Sequence, residues 1–299
     1  MSRFLLVLMG DTHCGLKNGL IAPGTELDYS GEKKTVNILS WSEWLWHDVY
    51  SPGITLAGEI AGGDPVFVLH DGDVVHGSRF TEHLYSAWPE HQVAIAVRVM
   101  AECRRLQNLA AFAMVHGTGS HDFGENSATR KVAEAMAPWG LPVMVDDHID
   151  VDLPDGFRVD LAHHGPNVGG NDYVRGNAAR GYAKQRATGY LQRGDKFPDM
   201  IVRGHVHQDL YEPCVPVPWA GSYRDTAMFI TPPLCGPNGY ARQASRSIDR
   251  AICGMFFVEV LNGRIGTVYQ HLVERSTKRV FDLRAYNNGN ESQGDGMFG

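Results

Sequence analysis

The sequence lacks the features of a membrane protein or a disulfide-rich protein. No run approaches the ~20 consecutive apolar residues that a membrane span needs. The five cysteines are an odd number at wide, irregular spacing, which predicts neither a disulfide framework nor a Cys-x-x-Cys zinc site. We therefore expect no membrane partner and a reducing, cytoplasmic location. The apolar run near the N-terminus is interpreted as a buried first strand and not as a signal peptide, because it is short and lacks a cleavage site.

An overall excess of positive charge is also missing. The chain has 27 basic and 34 acidic residues and a net charge of -7, so the whole protein does not attract polyanions. The segment 171–196 is the exception, with six basic and two acidic side chains and a local charge of +4. Three tyrosines are interleaved there, and this mixture suits contacts with nucleotides or single strands. A solvated helix face over residues 178–191 explains the same pattern without a ligand.

The order of apolar and polar segments predicts an α/β fold. Helix-compatible stretches at 35–50, 91–107 and 128–137 alternate with short apolar runs, and Asn262-Gly263 predicts a hairpin late in the chain. We expect one domain over residues 1–286, with a long excursion at 14–64 and a disordered tail at 287–299. The runs that predict buried strands are 4–9, 66–69, 109–115, 157–162, 200–202, 228–230 and 255–260.

Five clusters of Asp, His and Gly follow predicted strands, and the chain has 14 histidines in all. Strand ends gather along one edge of an α/β sheet, so distant segments can form one site. Mixed carboxylate and imidazole ligands suit Mn²⁺, Fe or Zn²⁺ better than Ca²⁺. A single cluster of this kind more often forms an ordinary loop or contains a hydrogen-bonded core histidine. The prediction of a metal site therefore depends on the ordered set of five. The clusters are GDTH (10–13), HDGDVVH (70–76), GTGSHD (117–122), HHGP (163–166) and GHVH (204–207).

In this order the clusters resemble the signature of the calcineurin-like metallophosphoesterases. That signature runs Asp-x-His, Gly-Asp-x-x-Asp/His, Gly-Asn-His-Asp/Glu, a His followed by Gly or Pro, and Gly-His-x-His. The resemblance spans residues 4–210, and the GTGSHD form is also similar to that of phage-borne members. It implies a four-layer α/β/β/α sandwich of two mixed β-sheets with a dinuclear metal centre at their edge.

The resemblance also implies a role for each cluster residue. Asp73 would bridge two divalent metals, Mn²⁺ first among the candidates and Fe or Zn²⁺ after it. His164 is preferred to His163 because it has both the following glycine and a proline two residues on. His121 would act as general acid, with Asp122 orienting its ring, and His76 would support a ligand. The implied metal ligands are Asp11, His13, Asp73, His164, His205 and His207.

Ser120 departs from the family pattern, which has a metal-binding Asn at that position. A serine hydroxyl is shorter and a weaker donor than an amide oxygen, so the second metal would bind less tightly or recruit Thr118 or Glu125. The ligand set of the second metal is therefore left open.

Arg175, or Arg79 after the second cluster, could clamp a substrate phosphate.

The sequence thus predicts a metal-dependent hydrolase of phosphoesters that uses a metal-activated water. The preferred form is a phosphodiesterase on nucleic acid or nucleotides. The alternatives are a phosphomonoesterase and a non-catalytic metal-binding module whose second site has decayed. Two metals per chain would favour an enzyme, whereas one or none would favour the decayed module.

The role assignments predict different outcomes for two substitutions. Asp73→Asn should remove bound metal and activity together, because it changes the bridging carboxylate. His121→Ala should keep the metal and lose turnover, because only the proton donor is removed. Metal content and initial rate, measured on both purified variants, check the assignment. Equal metal content and equal rates in the two variants would contradict it.

Overall fold

The computed structural model describes residues 2–79, 81–122, 127–169, 173–219, 221–237 and 250–277. The predicted tail at 287–299 lies outside these residues. Within them the fold is mixed α/β, with a six-stranded and a five-stranded mixed sheet and a small two-stranded sheet. None of the helices in these ranges has the length and apolarity to cross a membrane.

The strands of the described residues are numbered in chain order. They are β1 (Arg3–Met9), β2 (Glu26–Tyr29), β3 (Glu32–Thr35), β4 (Val66–His70), β5 (Leu109–Val115), β6 (Val143–Asp146), β7 (His148–Asp152), β8 (Arg158–Ala162), β9 (Met200–Arg203), β10 (Leu210–Trp219), β11 (Ser222–Ile230), β12 (Arg250–Leu261) and β13 (Arg264–Ser276). The α-helices are α1 (Ser40–Trp44), α2 (Ser51–Ala61), α3 (Pro89–Met100), α4 (Ser127–Met136) and α5 (Asn177–Arg193).

The six-stranded sheet has the order β13-β12-β1-β4-β5-β6. β1, β4, β5 and β6 are parallel neighbours, whereas β12 pairs antiparallel with β1 and with β13. The five-stranded sheet has the order β10-β11-β9-β8-β7, with a parallel β11-β9-β8 centre and antiparallel outer pairs. Strands that run in parallel end at the same edge, so each sheet presents its loops there.

Apolar side chains of the two sheets share one buried cluster. Alternate residues of β1 belong to it, among them Phe4, Leu6 and Leu8, together with Phe229 of β11 and Phe256 of β12. The ring centroids of Phe229 and Phe256 lie 5.5 Å apart in an edge-to-face arrangement. The period of two along β1 therefore directs one set of side chains toward the other sheet.

Helices cover the other faces of both sheets. The remaining β1 residues, Leu5, Val7 and Met9, join a second cluster with residues of α2, α3 and α4. On the five-stranded sheet, Ala179 and Ala183 of α5 pack against strand residues of β9, β10 and β11. The small alanines recur every four residues and let α5 lie close to the sheet, so its charged side chains face outward. This agrees with the interpretation of 178–191 as a solvated helix face.

The strand predictions are confirmed, and the late hairpin forms at Asn262-Gly263 between β12 and β13. The predicted helix at 35–50 begins later and extends further, because residue 35 ends β3 and a π-helical segment, Leu45–Tyr50, joins α1 to α2. Pro52 lacks the N–H that an α-helix would donate to the carbonyl of residue 48, which accounts for the irregular turn before α2. The excursion 14–64 thus contains a hairpin and a helical layer.

The contact between the sheets predicts a large cost for truncating Phe229. Phe229→Ala should lower the free energy of unfolding by about 3–5 kcal/mol, because the ring is fully buried between Tyr211 and Phe256. Tyr223→Ala on the same strand is the control, since its side chain is 71% exposed. Urea denaturation of both variants checks the difference. Similar losses in the two variants would contradict the proposed importance of the shared cluster.

Candidate metal centre

The loops after the parallel strands bring the predicted ligands together. After β1 and β4, the Asp11 N–H donates to Gly72 O at 3.0 Å and the His13 N–H donates to Asp73 O at 2.9 Å. After β8 and β9, the Gly204 N–H donates to His163 O at 3.0 Å. Backbone pairing therefore continues past the strand ends and fixes which side chains meet.

One of the hydrogen bonds that join the two sheets at this edge is accepted by Asp11. The His205 N–H donates to Asp11 Oδ2 at 3.0 Å, so a carboxylate from the six-stranded sheet holds the GHVH loop of the five-stranded sheet. The other oxygen, Asp11 Oδ1, remains directed at the ring of His207, 3.5 Å from its Nε2. One oxygen of Asp11 thus supports the backbone of the GHVH loop, and the other faces the candidate site.

Four side chains form the first group of candidate ligands. His13 Nε2 lies 3.3 Å from His207 Nε2, 3.8 Å from Asp11 Oδ1 and 3.7 Å from Asp73 Oδ2. Ligand atoms bound at ~2.1 Å to one metal lie roughly 3.0–3.4 Å from one another. The 3.3 Å separation lies in this range and the other two are slightly larger, so a small inward shift would close the group around a cation. The first predicted metal site is therefore geometrically reasonable.

The second group consists of Asp73, His163 and His205, whose ligand atoms lie within 4.8 Å of one another. His163 Nε2 is 3.2 Å from Asp73 Oδ2, and His163 Nδ1 donates to Asp71 O at 2.7 Å. That donation leaves Nε2 as the ligating nitrogen. The geometry therefore differs from the sequence preference for His164, because His164 is exposed and its ring packs on His205 with centroids 4.6 Å apart.

Asp73 belongs to both groups through a single oxygen. Asp73 Oδ2 faces His13 and His163, whereas Asp73 Oδ1 accepts the Thr118 N–H at 2.7 Å. The Thr118 hydroxyl also lies 3.2 Å from Asp73 Oδ1 and 3.3 Å from the Ser120 hydroxyl. Thr118 is thus next to the bridging position. Glu125, which the sequence offers as the alternative to Thr118, lies outside the described residues.

Among the candidate ligands, two buried atoms lack a hydrogen-bond partner: Asp11 Oδ1 and His163 Nε2, one in each group. Oδ1 of the neighbouring Asp71 lacks one as well. Leaving such a group unpaired costs about 1–3 kcal/mol, or more when it is charged. A carboxylate oxygen and an imidazole nitrogen are both ligands for Mn²⁺, Fe and Zn²⁺. The residues therefore fit a pair of divalent cations.

The backbone at the candidate ligands is strained. Eight non-glycine residues in the described ranges have a positive φ, and five of them are predicted ligands. Only glycine adopts this left-handed region readily, and strain of this kind concentrates at functional sites. Their positions indicate that the loops are shaped for the site and not for local stability. The five ligands are Asp11 (φ 49°), His13 (42°), Asp73 (49°), His205 (71°) and His207 (52°).

Glycines permit the close approach of these loops. A Cβ on Gly10 would lie 1.5 Å from Asp71 Oδ1, and a Cβ on Gly117 would lie 1.9 Å from Asp73 Oδ1. No side chain fits at either distance, so the carboxylates occupy the space that a Cβ would take. The glycines at the start of two clusters are therefore a steric requirement of the site.

Electrostatics show that the site attracts positive charge. Burial disfavours an ionised Asp11, but the facing His207 lowers the pKa of Asp11 to about 2. Burial likewise opposes a charged His163, yet its contact with Asp73 raises the pKa of His163 to about 9. The pKa of Asp73 is lowered because His163 and His13 outweigh its burial. Carboxylates that keep a neighbouring imidazole protonated at pH 7 would also stabilise a divalent cation at this site.

His121 lies beside the first group. Its ring centroid is 4.7 Å from that of His13, and its Nδ1 donates to the carbonyl oxygen of His76 at 2.5 Å. The sequence expectation that Asp122 orients this ring differs from the geometry. Asp122 accepts from His116 Nδ1 at 2.9 Å and from backbone N–H groups at the start of α4. The His76 carbonyl therefore takes the orienting position that was expected for Asp122.

His76 also supports the first group through its side chain. Its Nδ1 lies 3.2 Å from His13 Nδ1, so the pair shares a hydrogen bond and His13 Nε2 faces the ligands. Burial, together with the nearby His121, lowers the pKa of His76 to about 3. A neutral His76 can accept or donate one proton to fix the His13 tautomer. The supporting role predicted for His76 therefore has a geometric basis.

The basic segment is largely neutralised by ion pairs. Arg175, the predicted phosphate clamp, pairs with Asp209 at 3.1 Å, and Asp209 lies two residues after His207. This places Arg175 near the GHVH loop but engages its guanidinium. Five of the six basic residues of the segment have carboxylate partners: Arg175 with Asp209, Arg180 with Glu212, Arg186 with Asp160, Arg193 with Asp195 and Lys196 with Asp152.

Sequence reasoning missed two groups next to the ligands. Asp71 is fully buried, accepts from the Thr231 hydroxyl and supports His163 through its carbonyl. Cys235 Sγ lies 3.8 Å from His207 Nδ1, although its position in the chain is far from every cluster. A carboxylate beside Asp73 offered a weak signal for Asp71. No pattern in the sequence indicated Cys235.

Comparisons with known proteins add little to this geometry. No protein-family model and no curated protein matches the chain. Among solved structures, the chain is similar to a metallophosphoesterase from Sphaerobacter thermophilus at 13% identity, over 97% of this chain and 94% of that chain, with a TM-score of 0.31. A likeness this loose carries no argument about the fold or activity of this chain. The function must therefore be argued from the site.

Burial of His70 behind the site predicts an acid-sensitive stability. Burial lowers the pKa of His70 to about 4, against about 6.5 in an unfolded chain. Between these values the unfolded chain binds a proton that the folded protein excludes. The contribution of neutral His70 to the free energy of unfolding is therefore complete above about pH 6.5 and falls as the pH drops toward 4. Between pH 7 and pH 5 the loss should be about 2 kcal/mol for His70 alone.

Metal-free urea denaturation at pH 7 and pH 5 measures this loss. His70→Gln is the reference, because glutamine has no titrating group in this range. The wild-type protein should lose about 2 kcal/mol more than His70→Gln on going to pH 5. Equal losses would show that His70 is not held neutral in the folded protein.

Proposed function

We propose that this chain is a metal-dependent phosphoesterase with a dinuclear centre. The observation that carries the proposal is the pair of ligand groups sharing Asp73 Oδ2, each with one unpartnered buried atom. A single structural cation would need only one of these groups. Two groups joined by one carboxylate oxygen are the arrangement that two-metal hydrolysis of phosphoesters uses.

The first cation would be held by Asp11, His13 and His207 with Asp73, and the second by His163 and His205 with Asp73. Mn²⁺ is the first candidate, with Fe and Zn²⁺ next, because the donors are carboxylate and imidazole. His164 remains at the exposed rim of the second group. In this proposal it contacts solvent or substrate, and His163 takes the ligand role that was predicted for His164.

Bound cations would neutralise phosphate oxygens and lower the pKa of the attacking water. The protein side chains supply the remaining steps. His121 is fixed through Nδ1 by the His76 carbonyl, so a proton on Nε2 can be donated to the leaving oxygen. Thr118 keeps Asp73 in place through its N–H, and Asp11 holds the GHVH loop through the His205 N–H.

A phosphodiester of nucleotide size is the substrate we favour. The second group is open, because His164 and His205 are both exposed, and this leaves room for substituents on both sides of a phosphorus atom. The ion pairs of the basic segment leave little unpaired charge to follow a long polyanion. A small diester therefore fits the site better than a nucleic-acid strand, and phosphomonoesters remain the second candidate.

The layering of the fold is part of the same proposal. Helices on the outer faces and the shared cluster between the sheets correspond to the α/β/β/α sandwich that the sequence resemblance implies. In that arrangement the ligand loops of both sheets meet at one edge. The Asp11–His205 hydrogen bond is one of the contacts that would join them.

A substrate panel tests the proposal. With Mn²⁺ the purified protein should hydrolyse bis-p-nitrophenyl phosphate faster than p-nitrophenyl phosphate, and cyclic nucleotides faster than single-stranded DNA. The Asp73→Asn protein is the control and should be inactive on all four. Faster hydrolysis of the monoester would favour the phosphatase alternative. Absence of activity on every substrate, with two metals bound per chain, would overturn the enzymatic proposal.

A further inference from the structure

Cys235 lies on a segment that is fixed against the site from three directions. The Leu234 N–H donates to Gly10 O at 3.3 Å, and the Gly236 N–H donates to Asn18 O at 2.7 Å. The Cys253 thiol donates to the carbonyl of Cys235 at 3.4 Å. Cys235 itself is 2% exposed. Its thiol therefore has a defined position behind the candidate ligands.

The thiol faces the ring of His207. Cys235 Sγ is 3.8 Å from His207 Nδ1, a separation suited to a hydrogen bond that involves sulfur. The opposite ring nitrogen, His207 Nε2, is 3.3 Å from His13 Nε2 and 3.5 Å from Asp11 Oδ1. The imidazole thus lies between a sulfur on one side and the first ligand group on the other.

His207 needs such support more than its neighbours do. Its side chain is 35% exposed, whereas that of His13 is 4% exposed and is held by His76. Within the described residues, Cys235 Sγ is the partner of His207 Nδ1. A ligand imidazole normally donates its second N–H to a carboxylate, carbonyl or water, and that donation fixes both the tautomer and the ring orientation.

We propose that Cys235 is a positioning residue for His207. The Nδ1–H of His207 is donated to Cys235 Sγ, which leaves the Nε2 lone pair directed at the first cation position. The thiol contributes no ligand atom of its own and undergoes no chemical change. This inference rests on the proposed function, because it assigns the support of one ligand in that centre.

Mn²⁺ affinity tests the role without reference to catalysis. Cys235→Ala and Cys235→Val both remove the acceptor, and valine keeps most of the volume if the alanine variant fails to fold. Each should bind Mn²⁺ 10–100-fold more weakly than the wild type, the range found when the partner of a ligand histidine is lost. Cys235→Ser should recover part of the affinity, since a hydroxyl oxygen accepts the same N–H.

Cys103→Ala is the matched control. Cys103 is also buried, lies in the apolar cluster on the helix-covered face of the six-stranded sheet and bonds Tyr50, so its removal should leave Mn²⁺ affinity within about twofold of the wild type. A double-mutant cycle with His207→Ala separates positioning from general packing. In the His207→Ala protein, Cys235→Val should cause no further loss of affinity.

The outcomes separate this inference from the proposed function. If the wild-type protein binds Mn²⁺ and the Cys235 variants bind it equally well, the positioning role is overturned and the dinuclear centre stands. The role is also overturned if Cys235→Val weakens binding as much in the His207→Ala background as in the wild type. If the wild-type protein binds neither Mn²⁺ nor Fe²⁺ nor Zn²⁺, the proposed function itself is overturned.

Discussion

The shared oxygen of Asp73 is the constraint on which the site depends. Asp73 Oδ2 faces a histidine from each ligand group, and its partner Oδ1 is held by the Thr118 N–H. This position requires that three loops from two sheets end at one point. The missing Cβ of Gly117 makes room for the carboxylate there. The parallel strands, the cluster between the sheets and the loop glycines can all be understood as meeting that one requirement.

That constraint works against the stability of the chain. Five candidate ligands have left-handed backbone conformations, at a cost of roughly 1–2 kcal/mol each. Five buried polar atoms of the described residues are unpartnered as well, two of them on candidate ligands. A cation that binds only the folded state would offset such costs, because ligand binding shifts the folding equilibrium by mass action.

Sequence patterns predicted the elements and the meeting of the clusters, but not the local geometry. Because strand ends gather along one edge of a sheet, the sequence predicted that Asp11 and His13 would lie together after β1. In an extended segment their side chains, two residues apart, would point the same way. They do converge, yet both residues are left-handed and not extended. The choice between His163 and His164 depends on the direction in which β8 ends, which residue identity does not encode. The sequence gives no signal for the orienting role of the His76 carbonyl, because every residue carries a carbonyl group.

The two groups of candidate ligands differ in their exposure to solvent, and this difference indicates the side from which a substrate would approach. In the first group Asp11 and His13 are buried and His207 is exposed. In the second group His163 is buried, whereas His205 and the adjacent His164 are both exposed. Ser120 offers only a weak donor where the signature that the clusters resemble has an amide. A substrate phosphate would therefore approach from the second group, whose cation has fewer protein ligands and more positions left for phosphate oxygens. The enclosed first group, supported by His76 and Cys235, would stay the more rigid half.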